Sequence, residues 1–484
     1  MQNIINDLLK LANQRNASNM PFTTVKSALE WCIPAAQQGD TEAQYILALC
    51  YTHGIGIPMN PDEAAAWYQA AANQGHAEAQ YRLGICYNQE IGVCKDKEKA
   101  VRFLQSAAES GHADAQYQLS VLLQKKGATE QEKSMYWLRQ AAKQQHIEAC
   151  YDLACTLDTD DASPQQRKEA IALYRIAANA NFAPALNNLG ACYELGDGVR
   201  TNMKKAISLY RAAAEQHYAH AQYNLGLIYL EGVSLPQDNK QAFRWFRKAA
   251  TQNHSWAQYH LGLCYDEAIG TLANIRKALY WYRKAADQGI AEAQNQLANH
   301  FREGLGVRQN LKKAFHLYTQ AAAQNEPEAM NNLGMCYEYA LACTQDCKKA
   351  VNLYKAAASL DCIIAMYNLA RCYEEGKGIS KNTRQAVRWY KKAADLGDAP
   401  AQNNLGCMYM YGQGVKKDPE KAVHLYRLAA AQNNGLALLN LSECYRVGNG
   451  VPKDEQEANR LRLEAQATGD PDMDVDESLF KTND

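Results

Sequence analysis

The feature that most restricts the fold is a 36-residue repeat that fills nearly the whole chain. Twelve units follow one another without spacers between Thr41 and Asp470, eleven of 36 residues and one, the third, of 34. The third position is alanine and the seventh is leucine in every unit. The same apolar pattern in series predicts a stack in which each unit buries its apolar surface against its neighbours. The units begin at Thr41, Ala77, Ala113, Ile147, Ala183, Ala219, Ser255, Ala291, Pro327, Ile363, Ala399 and Gly435.

Each unit reads as a helix, a turn and a second helix, most clearly in residues 399–434. Ala401 and Leu405 lie four residues apart and begin an apolar seam on the first helix. Small alanines around Tyr426 give the second helix a matching seam, so the two helices can pack closely as an antiparallel hairpin. Gly412 suits the left-handed end of the first helix, and Asp418 suits the N-cap of the second. We therefore predict an all-α solenoid of about twelve helix-turn-helix repeats.

The repeats divide the chain into three parts. Residues 1–40 keep half of the pattern, including Trp31 and Ala35, and we expect a degenerate capping repeat there. Residues 41–470 are the twelve repeats, which form one continuous domain because each unit contacts its neighbours. Residues 471–484 are short and acidic, and we expect them to be disordered.

Charge and hydropathy exclude several classes of partner. Lysine and arginine number 51 against 52 acidic residues, so the net charge of −1 gives no overall attraction to nucleic acid or to an anionic membrane. We expect no nucleic-acid partner. No stretch reaches the roughly 18 uninterrupted apolar residues of a membrane span. The N-terminus carries Asp7 within its apolar run, so we predict no secretory signal peptide.

The fifteen cysteines are predicted to be free thiols. Equivalent positions of successive units are expected to lie about 16–20 Å apart, too far for a disulfide. Unpaired thiols favour a reducing compartment and hence the cytoplasm, and delivery to a host cell by a specialised secretion system stays open. Cys343 and Cys347, four residues apart in one turn, are interpreted as a thiol pair, and we predict neither a metal site nor a cofactor. Seven cysteines share position 10 and are interpreted as small buried hydrophobes: Cys50, Cys86, Cys192, Cys264, Cys336, Cys372 and Cys444.

A candidate binding surface follows positions 2, 6, 9 and 13 of the first helices, a stripe expected to line a concave groove. Position 6 is a column of carboxamides, which donate and accept hydrogen bonds and therefore suit the backbone of an extended peptide. The alternative is that these asparagines bond the turn of the neighbouring unit, and both interpretations stay open. The column contains Asn188, Asn224, Asn332, Asn368, Asn404 and Asn440, with His260 and Gln296 in the two intervening units.

Acidic and aromatic side chains complete the candidate surface. Glu267, Glu303 and Glu375 stand near the ends of first helices and predict an acidic groove. Tyr339 and Tyr411 are aromatic residues on the same stripe. Trp256 is the one indole at position 2, which is typical of a binding hot spot. It either anchors the partner or packs on the last turn of the preceding unit near His254.

The sequence offers no nucleophile, base and orienting group at a recognisable spacing, and its eleven histidines are scattered, so we predict that the chain is not an enzyme. The main hypothesis is an interaction scaffold whose groove binds an extended or basic polypeptide. A glycan- or peptidoglycan-binding module and a small-molecule hydrolase are the alternatives. A glycan module would need a row of exposed aromatic residues spaced for sugar stacking.

The combined pattern is Ala-x-Ala-Gln-x-x-Leu-Gly-x-x-Tyr, then Gly-x-Gly-Val, then Lys-Ala-x-x-Trp/Leu-Tyr-x-x-Ala-Ala-x-x-Gly. It resembles the Sel1-like repeat family, relatives of tetratricopeptide repeats, over about nine-tenths of the chain. The resemblance implies a right-handed α/α superhelix and an adaptor role, as in bacterial host-interaction factors, signalling regulators and the degradation machinery of the endoplasmic reticulum. Some bacterial members carry disulfides within each unit. This sequence lacks their cysteine spacing, which argues against an oxidised, periplasmic role.

Overall fold

The computed structural model describes residues 22–125 and 127–468, and their regular elements are 25 α-helices and one 3-10 turn, Ala128–Glu130. No strand occurs within these ranges. The predicted all-α solenoid of helical hairpins is therefore confirmed. The first helix of the expected capping repeat and the acidic tail at residues 471–484 lie outside the described residues.

The helices alternate between the first and the second helix of each repeat. Helix α1, Phe22–Gln37, precedes the first complete hairpin. The first helices are α2 Thr41–His53, α4 Ala77–Gln89, α6 Ala113–Gln124, α8 Ile147–Leu157, α10 Ala183–Leu195, α12 Ala219–Glu231, α14 Ser255–Asp266, α16 Ala291–Glu303, α18 Pro327–Glu338, α20 Ile363–Glu375, α22 Ala399–Tyr411 and α24 Gly435–Val447. The second helices are α3 Pro61–Asn73, α5 Lys97–Glu109, α7 Gln131–Lys143, α9 Pro164–Asn179, α11 Met203–Glu215, α13 Asn239–Thr251, α15 Ile275–Asp287, α17 Leu311–Ala322, α19 Cys347–Ser359, α21 Thr383–Asp395, α23 Pro419–Ala430 and α25 Glu455–Ala467.

Nine of the twelve hairpins combine a small residue at position 8 with an aromatic ring at position 28. A Cβ atom added to Gly406 would lie only 2.6 Å from Cε1 of Tyr426, and the same distance separates the equivalent atoms of Gly262 and Tyr282. Tyr426 is 2% exposed. The glycine therefore lets the tyrosine ring rest directly on the backbone of the first helix, which fixes how closely the two helices pack.

The turn between the helices uses glycine for its backbone conformation. Gly412 ends α22 with φ 69°, a left-handed geometry that costs other residues free energy. The side chain of Asp418 then accepts a hydrogen bond from the backbone N–H of Lys421 and begins α23. These are the capping roles that the sequence predicted.

Successive first helices lie side by side. Nδ2 of Asn332 on α18 donates to Oδ1 of Asn295 on α16 at 3.0 Å, and Asn368 on α20 donates to Asn331 at 2.9 Å. The expected separation of about 16–20 Å is therefore wrong. Within each compact unit, the first helices form one layer and the second helices another, so equivalent positions are neighbours within a layer. The seven cysteines at position 10 are all buried, as predicted.

The chain divides into two compact units, Met1–Leu225 and Gly226–Asp484, called the N-terminal unit and the C-terminal unit below. In the described parts of both units, no helix combines the length and the apolar character that crossing a membrane requires.

The repeat register predicts a contrast between two leucines of one hairpin. Leu405 on α22 is 3% exposed and Leu428 on α23 is 42% exposed. Leu405→Ala should lower the free energy of unfolding by about 2–5 kcal/mol, because it leaves a cavity between the helices. Leu428→Ala should cost less than about 1 kcal/mol. Urea titration followed by circular dichroism compares the two, and equal midpoints for both variants would contradict this packing.

Candidate partner-binding surface

The asparagines of position 6 form hydrogen bonds between neighbouring repeats. Four of the six amides donate to the side-chain oxygen of an asparagine at position 5 of the preceding first helix, 37 residues earlier in the chain. This carboxamide ladder has one rung in the N-terminal unit and three in the C-terminal unit. The rungs are Asn224 to Asn187 at 3.0 Å, Asn332 to Asn295 at 3.0 Å, Asn368 to Asn331 at 2.9 Å and Asn440 to Asn403 at 2.8 Å.

The two remaining asparagines follow a tyrosine at position 5 of the preceding helix and bond elsewhere. Nδ2 of Asn188 donates to the hydroxyl of Tyr174 at 3.4 Å, and Nδ2 of Asn404 donates to that of Tyr390 at 3.2 Å. Asn368 is itself only 7% exposed. The position-6 amides thus bond neighbouring helices, whereas the alternative interpretation had named the neighbouring turn.

His260 fills the same column with a ring instead of an amide. Its imidazole stacks on the ring of Phe246, with centroids 5.0 Å apart and an interplanar angle of 17°. Burial lowers the pKa of His260 from 6.5 to about 4. The side chain is therefore a neutral, packed group near neutral pH.

The carboxylates at the ends of the first helices fall into two classes. Those at position 12 accept a hydrogen bond from the hydroxyl of the position-28 tyrosine in the same hairpin. The pKa of each tyrosine is raised well above the usual range for tyrosine. Burial is the larger cause, and the neighbouring carboxylate raises the pKa further. The pairs are Tyr174 with Asp158 at 3.1 Å, Tyr210 with Glu194 at 2.6 Å, Tyr282 with Asp266 at 3.1 Å, Tyr354 with Glu338 at 2.7 Å and Tyr390 with Glu374 at 2.7 Å.

Glu338 illustrates how completely a carboxylate at position 12 can be buried. Its side chain is 1% exposed and contacts Arg371 Nη2 at 2.7 Å and Lys377 Nζ at 3.0 Å. Burial alone would raise the pKa of Glu338, but the hydrogen bonds from Tyr354 and Lys377 and the charge of Arg371 together lower it. The carboxylate is satisfied inside the protein and has a structural role.

Position 13 differs from position 12 because its side chains are exposed. In the C-terminal unit, each is the last residue of a first helix or the residue that caps it. The exposed fraction of Tyr339 is 47% and that of Tyr411 is 70%. We call this set the position-13 row: Glu231, Glu267, Glu303, Tyr339, Glu375, Tyr411 and Val447.

The glutamates of the position-13 row stand where a helix disfavours them. A negative charge at a helix C-terminus faces the negative end of the macrodipole and costs roughly 0.3–1 kcal/mol. Glu303 pairs with the adjacent Arg302, and the hydroxyl of Tyr339 accepts a hydrogen bond from Arg371 Nη1 at 2.7 Å. Helix stability does not account for four such carboxylates, so the row is the candidate binding feature of this unit.

Trp256 lies at the opposite end of its first helix from the position-13 row. It is 39% exposed at the start of α14, and its ring meets Tyr259 edge-on with centroids 6.2 Å apart. Trp256 and Glu267 are eleven positions apart, which corresponds to about 16 Å along the helix. Nδ1 of His254 accepts the backbone N–H of Ala257 and caps the helix.

The structure thus brings together five of the predicted site residues and separates the others. Glu267, Glu303, Tyr339, Glu375 and Tyr411 lie in the position-13 row. The position-6 side chains are half-buried, except for the buried Asn368, and Asn188 and Asn224 belong to the N-terminal unit. The asparagines of position 5 were missed, although asparagine at position 5 of one unit and position 6 of the next was a readable signal.

Metal binding finds no support in the described ranges, where no three His, Cys, Asp or Glu side chains are grouped as metal ligands. Cys343 Sγ donates to the carbonyl oxygen of Cys336 at 3.3 Å. This hydrogen bond holds the side chain of Cys343 against the end of the first helix.

The burial of His260 predicts a pH-dependent contribution to stability. Because the pKa is about 4 in the folded chain and 6.5 when exposed, the unfolded chain binds more protons between these values. Stability should therefore fall as pH decreases from 6.5 toward 4, by at most about 1.4 kcal/mol per pH unit.

His260→Gln should remove that contribution, since glutamine occupies the equivalent position in the next repeat, at Gln296. His316→Gln is the control, because His316 is exposed on α17. Urea midpoints at pH 7 and pH 5 measure the effect. If His260→Gln keeps the pH dependence of the parent, the histidine does not carry it.

The family model described as Sel1 repeat matches thirteen segments of the chain. The count exceeds the twelve units read from the sequence because the match includes residues 25–40. The matched residues are 25–40, 41–76, 77–112, 113–146, 147–182, 183–218, 219–254, 257–290, 291–326, 327–362, 363–398, 399–434 and 435–461.

One solved structure shows the same fold over nearly the whole chain. A protective antigen present in uropathogenic Escherichia coli strains, with an SLR fold, is 30% identical, with 92% of this chain and 95% of that chain covered and a TM-score of 0.73. A Sel1 repeat protein from Oxalobacter formigenes is also 30% identical, covers 67% of this chain and 92% of its own, and has a TM-score of 0.46. No curated protein sequence matches the chain. With repeats matched along nearly its whole length, this chain belongs to the Sel1 repeat family.

Proposed function

We propose that this protein is a scaffold that binds an extended, basic polypeptide segment along the position-13 row of its C-terminal unit. Sel1 repeat proteins are interaction scaffolds that bind other proteins, so the general class follows from the family. The observation that supports the finer proposal is the exposed row of glutamates and tyrosines at the ends of the first helices.

The layer of first helices is acidic in this unit. The six first helices from α14 to α24 carry eight aspartates and glutamates against three arginines. Position 12 uses part of this charge internally, whereas the carboxylates of position 13 face solvent. A basic segment would gain charge-assisted hydrogen bonds there, and arginine can bind a carboxylate with two parallel bonds. The acids are Asp266, Glu292, Glu303, Glu328, Glu338, Glu374, Glu375 and Glu443, and the bases are Arg302, Arg371 and Arg446.

The spacing of the row matches an extended chain. Neighbouring packed helices lie about 8–10 Å apart. An extended polypeptide advances about 3.3 Å per residue, so every third residue would meet a new first helix. Tyr339 and Tyr411 would then contact the aliphatic parts of arginine or lysine side chains between the glutamates.

The alternatives have less to rest on. Tyr339 and Tyr411 are two repeats apart with Glu375 between them, which is too wide for stacking on adjacent sugar rings. Sel1 repeat proteins are typically non-catalytic scaffolds, so a hydrolase has no support from the family.

The proposal is tested with a fluorescein-labelled, N-acetylated peptide of about 15 residues that has arginine at every third position. The triple variant Glu267→Gln, Glu303→Gln and Glu375→Gln should weaken binding at least about tenfold at low salt, since three favourable charge pairs are lost. The matched control is Asp287→Asn, Asp395→Asn and Glu420→Gln, which removes three exposed acids from second helices. Fluorescence anisotropy measures both affinities.

The proposal is supported only if the row variant loses more affinity for the peptide than the control variant does. If the two triple variants weaken binding equally, the effect is one of net charge and the row is not the site. Parent protein that does not bind the peptide at low salt would also contradict the proposal, and so would a row variant that binds as tightly as the parent.

Trp256 tests the direction in which the segment runs. The indole lies about 16 Å from Glu267 along α14, so a segment that crosses the helices along the row does not reach it. Trp256→Ala should therefore leave the affinity for this peptide within about twofold, with little change in melting temperature. A loss of about 2 kcal/mol or more would make Trp256 a hot spot and show that the segment runs along α14 instead.

A further inference from the structure

All but the last of the second helices of the C-terminal unit carry charge of the opposite sign. The six second helices from α13 to α23 contain nineteen lysines and arginines, all of them exposed, and only three acids, Asp287, Asp395 and Glu420, whereas the last, α25, has three acids and two arginines. The net charge of −1 for the whole chain averages over this separation. We call the nineteen residues the basic layer: Lys240, Arg244, Arg247, Lys248, Arg276, Lys277, Arg283, Lys284, Lys312, Lys313, Lys348, Lys349, Lys355, Arg384, Arg388, Lys391, Lys392, Lys421 and Arg427.

Few of these charges are neutralised by the protein. Within the described ranges, Lys349 lies 3.8 Å from Asp346 and Lys421 lies 2.9 Å from Asp418, and the other seventeen have no carboxylate within 4.0 Å. Exposed like charges repel one another. The packing of the hairpins does not require them, because the core of each second helix is formed by its alanines and its position-28 ring.

The charges are also arranged in stripes. On α13, Lys240, Arg244 and Arg247 follow the spacing i, i+4 and i+7, which places them on one face of the helix over about 10 Å. Arg384, Arg388 and Lys391 repeat this spacing on α21. The second helices α15, α17 and α19 come between these two stripes and carry basic residues of their own, so the positive charge continues along the C-terminal unit.

The N-terminal unit provides an internal comparison. Its second helices α3 to α11 contain twelve lysines and arginines against seven acids, although they have the same fold. The basic layer is therefore a property of the C-terminal unit and does not follow from the repeat itself.

We propose that the basic layer binds nucleic acid through the phosphodiester backbone, without sequence preference. A stripe of lysine and arginine along helices is the electrostatic footprint of such binding. The expectation of no nucleic-acid partner rested on the net charge of the whole chain. The proposal is independent of the polypeptide site, which lies on the other layer.

An anionic membrane is the other extended polyanion, and the apolar residues favour nucleic acid over it. Only Ile275, Tyr280 and Leu428 are exposed large apolar residues within the six second helices from α13 to α23, so little could insert into a bilayer. The indoles are engaged: Lys248 Nζ lies 4.0 Å from the ring centroid of Trp245, and Lys392 Nζ lies 4.6 Å from that of Trp389. A charged layer with few exposed apolar side chains is better suited to a phosphate backbone than to a lipid bilayer.

The test uses the full chain and a fluorescein-labelled oligothymidine of about 20 nucleotides. The variant Arg244→Gln, Lys312→Gln, Lys348→Gln and Lys391→Gln removes one charge from each of four helices in the basic layer. Lys97→Gln, Arg102→Gln, Lys168→Gln and Lys204→Gln is the matched control, with the same exposed residue types on second helices of the N-terminal unit. Anisotropy gives the affinity, and circular dichroism shows that both variants are folded.

The parent should bind at about 50 mM salt, with log affinity falling against log salt at a slope steeper than about −2, as expected for several phosphate contacts. The basic-layer variant should bind at least about tenfold more weakly with a shallower slope, and the control should change less than about threefold. Equal losses in both variants would overturn the proposal. It is also overturned if the parent fails to bind the oligonucleotide, or binds only vesicles that contain phosphatidylserine.

Discussion

The structure depends on the contact between a small residue at position 8 and the aromatic ring at position 28. In the hairpin of α22 and α23, no side chain larger than hydrogen fits at Gly406 without displacing Tyr426. This contact brings the two helices together and places the tyrosine hydroxyl at the end of the first helix. The hydroxyl then meets the carboxylate of position 12, as Tyr390 meets Glu374. The packing of the hairpin thereby decides which acidic side chain is internal.

Two neighbouring carboxylates consequently have different chemistry in the same repeat. Glu374 is hydrogen-bonded to Tyr390, whereas Glu375 is exposed at the helix end. The same division separates Asp266 from Glu267. Because the first helices lie side by side, the exposed members form a row, and the second helices collect the basic residues on the other layer. In the C-terminal unit the first helices from α14 to α24 are therefore mainly acidic and the second helices from α13 to α23 mainly basic, although the chain as a whole is nearly neutral.

The sequence predicted the fold well and the surface less well, for physical reasons. Repeat boundaries, helix caps and core positions such as Leu405 are set by local pattern, so one periodic sequence is enough to predict them. The carboxamide ladder depends on contacts 37 residues apart, such as that of Asn368 with Asn331, and no local pattern fixes their distance. The predicted spacing of equivalent positions was too large because it assumed that a second helix lies between successive first helices. Positions 12 and 13 are adjacent in sequence, and only the hydroxyl of a tyrosine from the second helix distinguishes them.

The central claim is that position 12 is structural and position 13 is the binding row. Carbodiimide-driven labelling of carboxylates with glycine ethyl ester, read by tandem mass spectrometry, measures both positions at once. In the free protein, Glu267 and Glu375 should label faster than Asp266 and Glu374, and the arginine peptide should slow labelling at position 13 while leaving Asp395 on α21 unchanged. Equal labelling of the adjacent carboxylates, or protection by the peptide at Asp395 instead of the row, would contradict the claim.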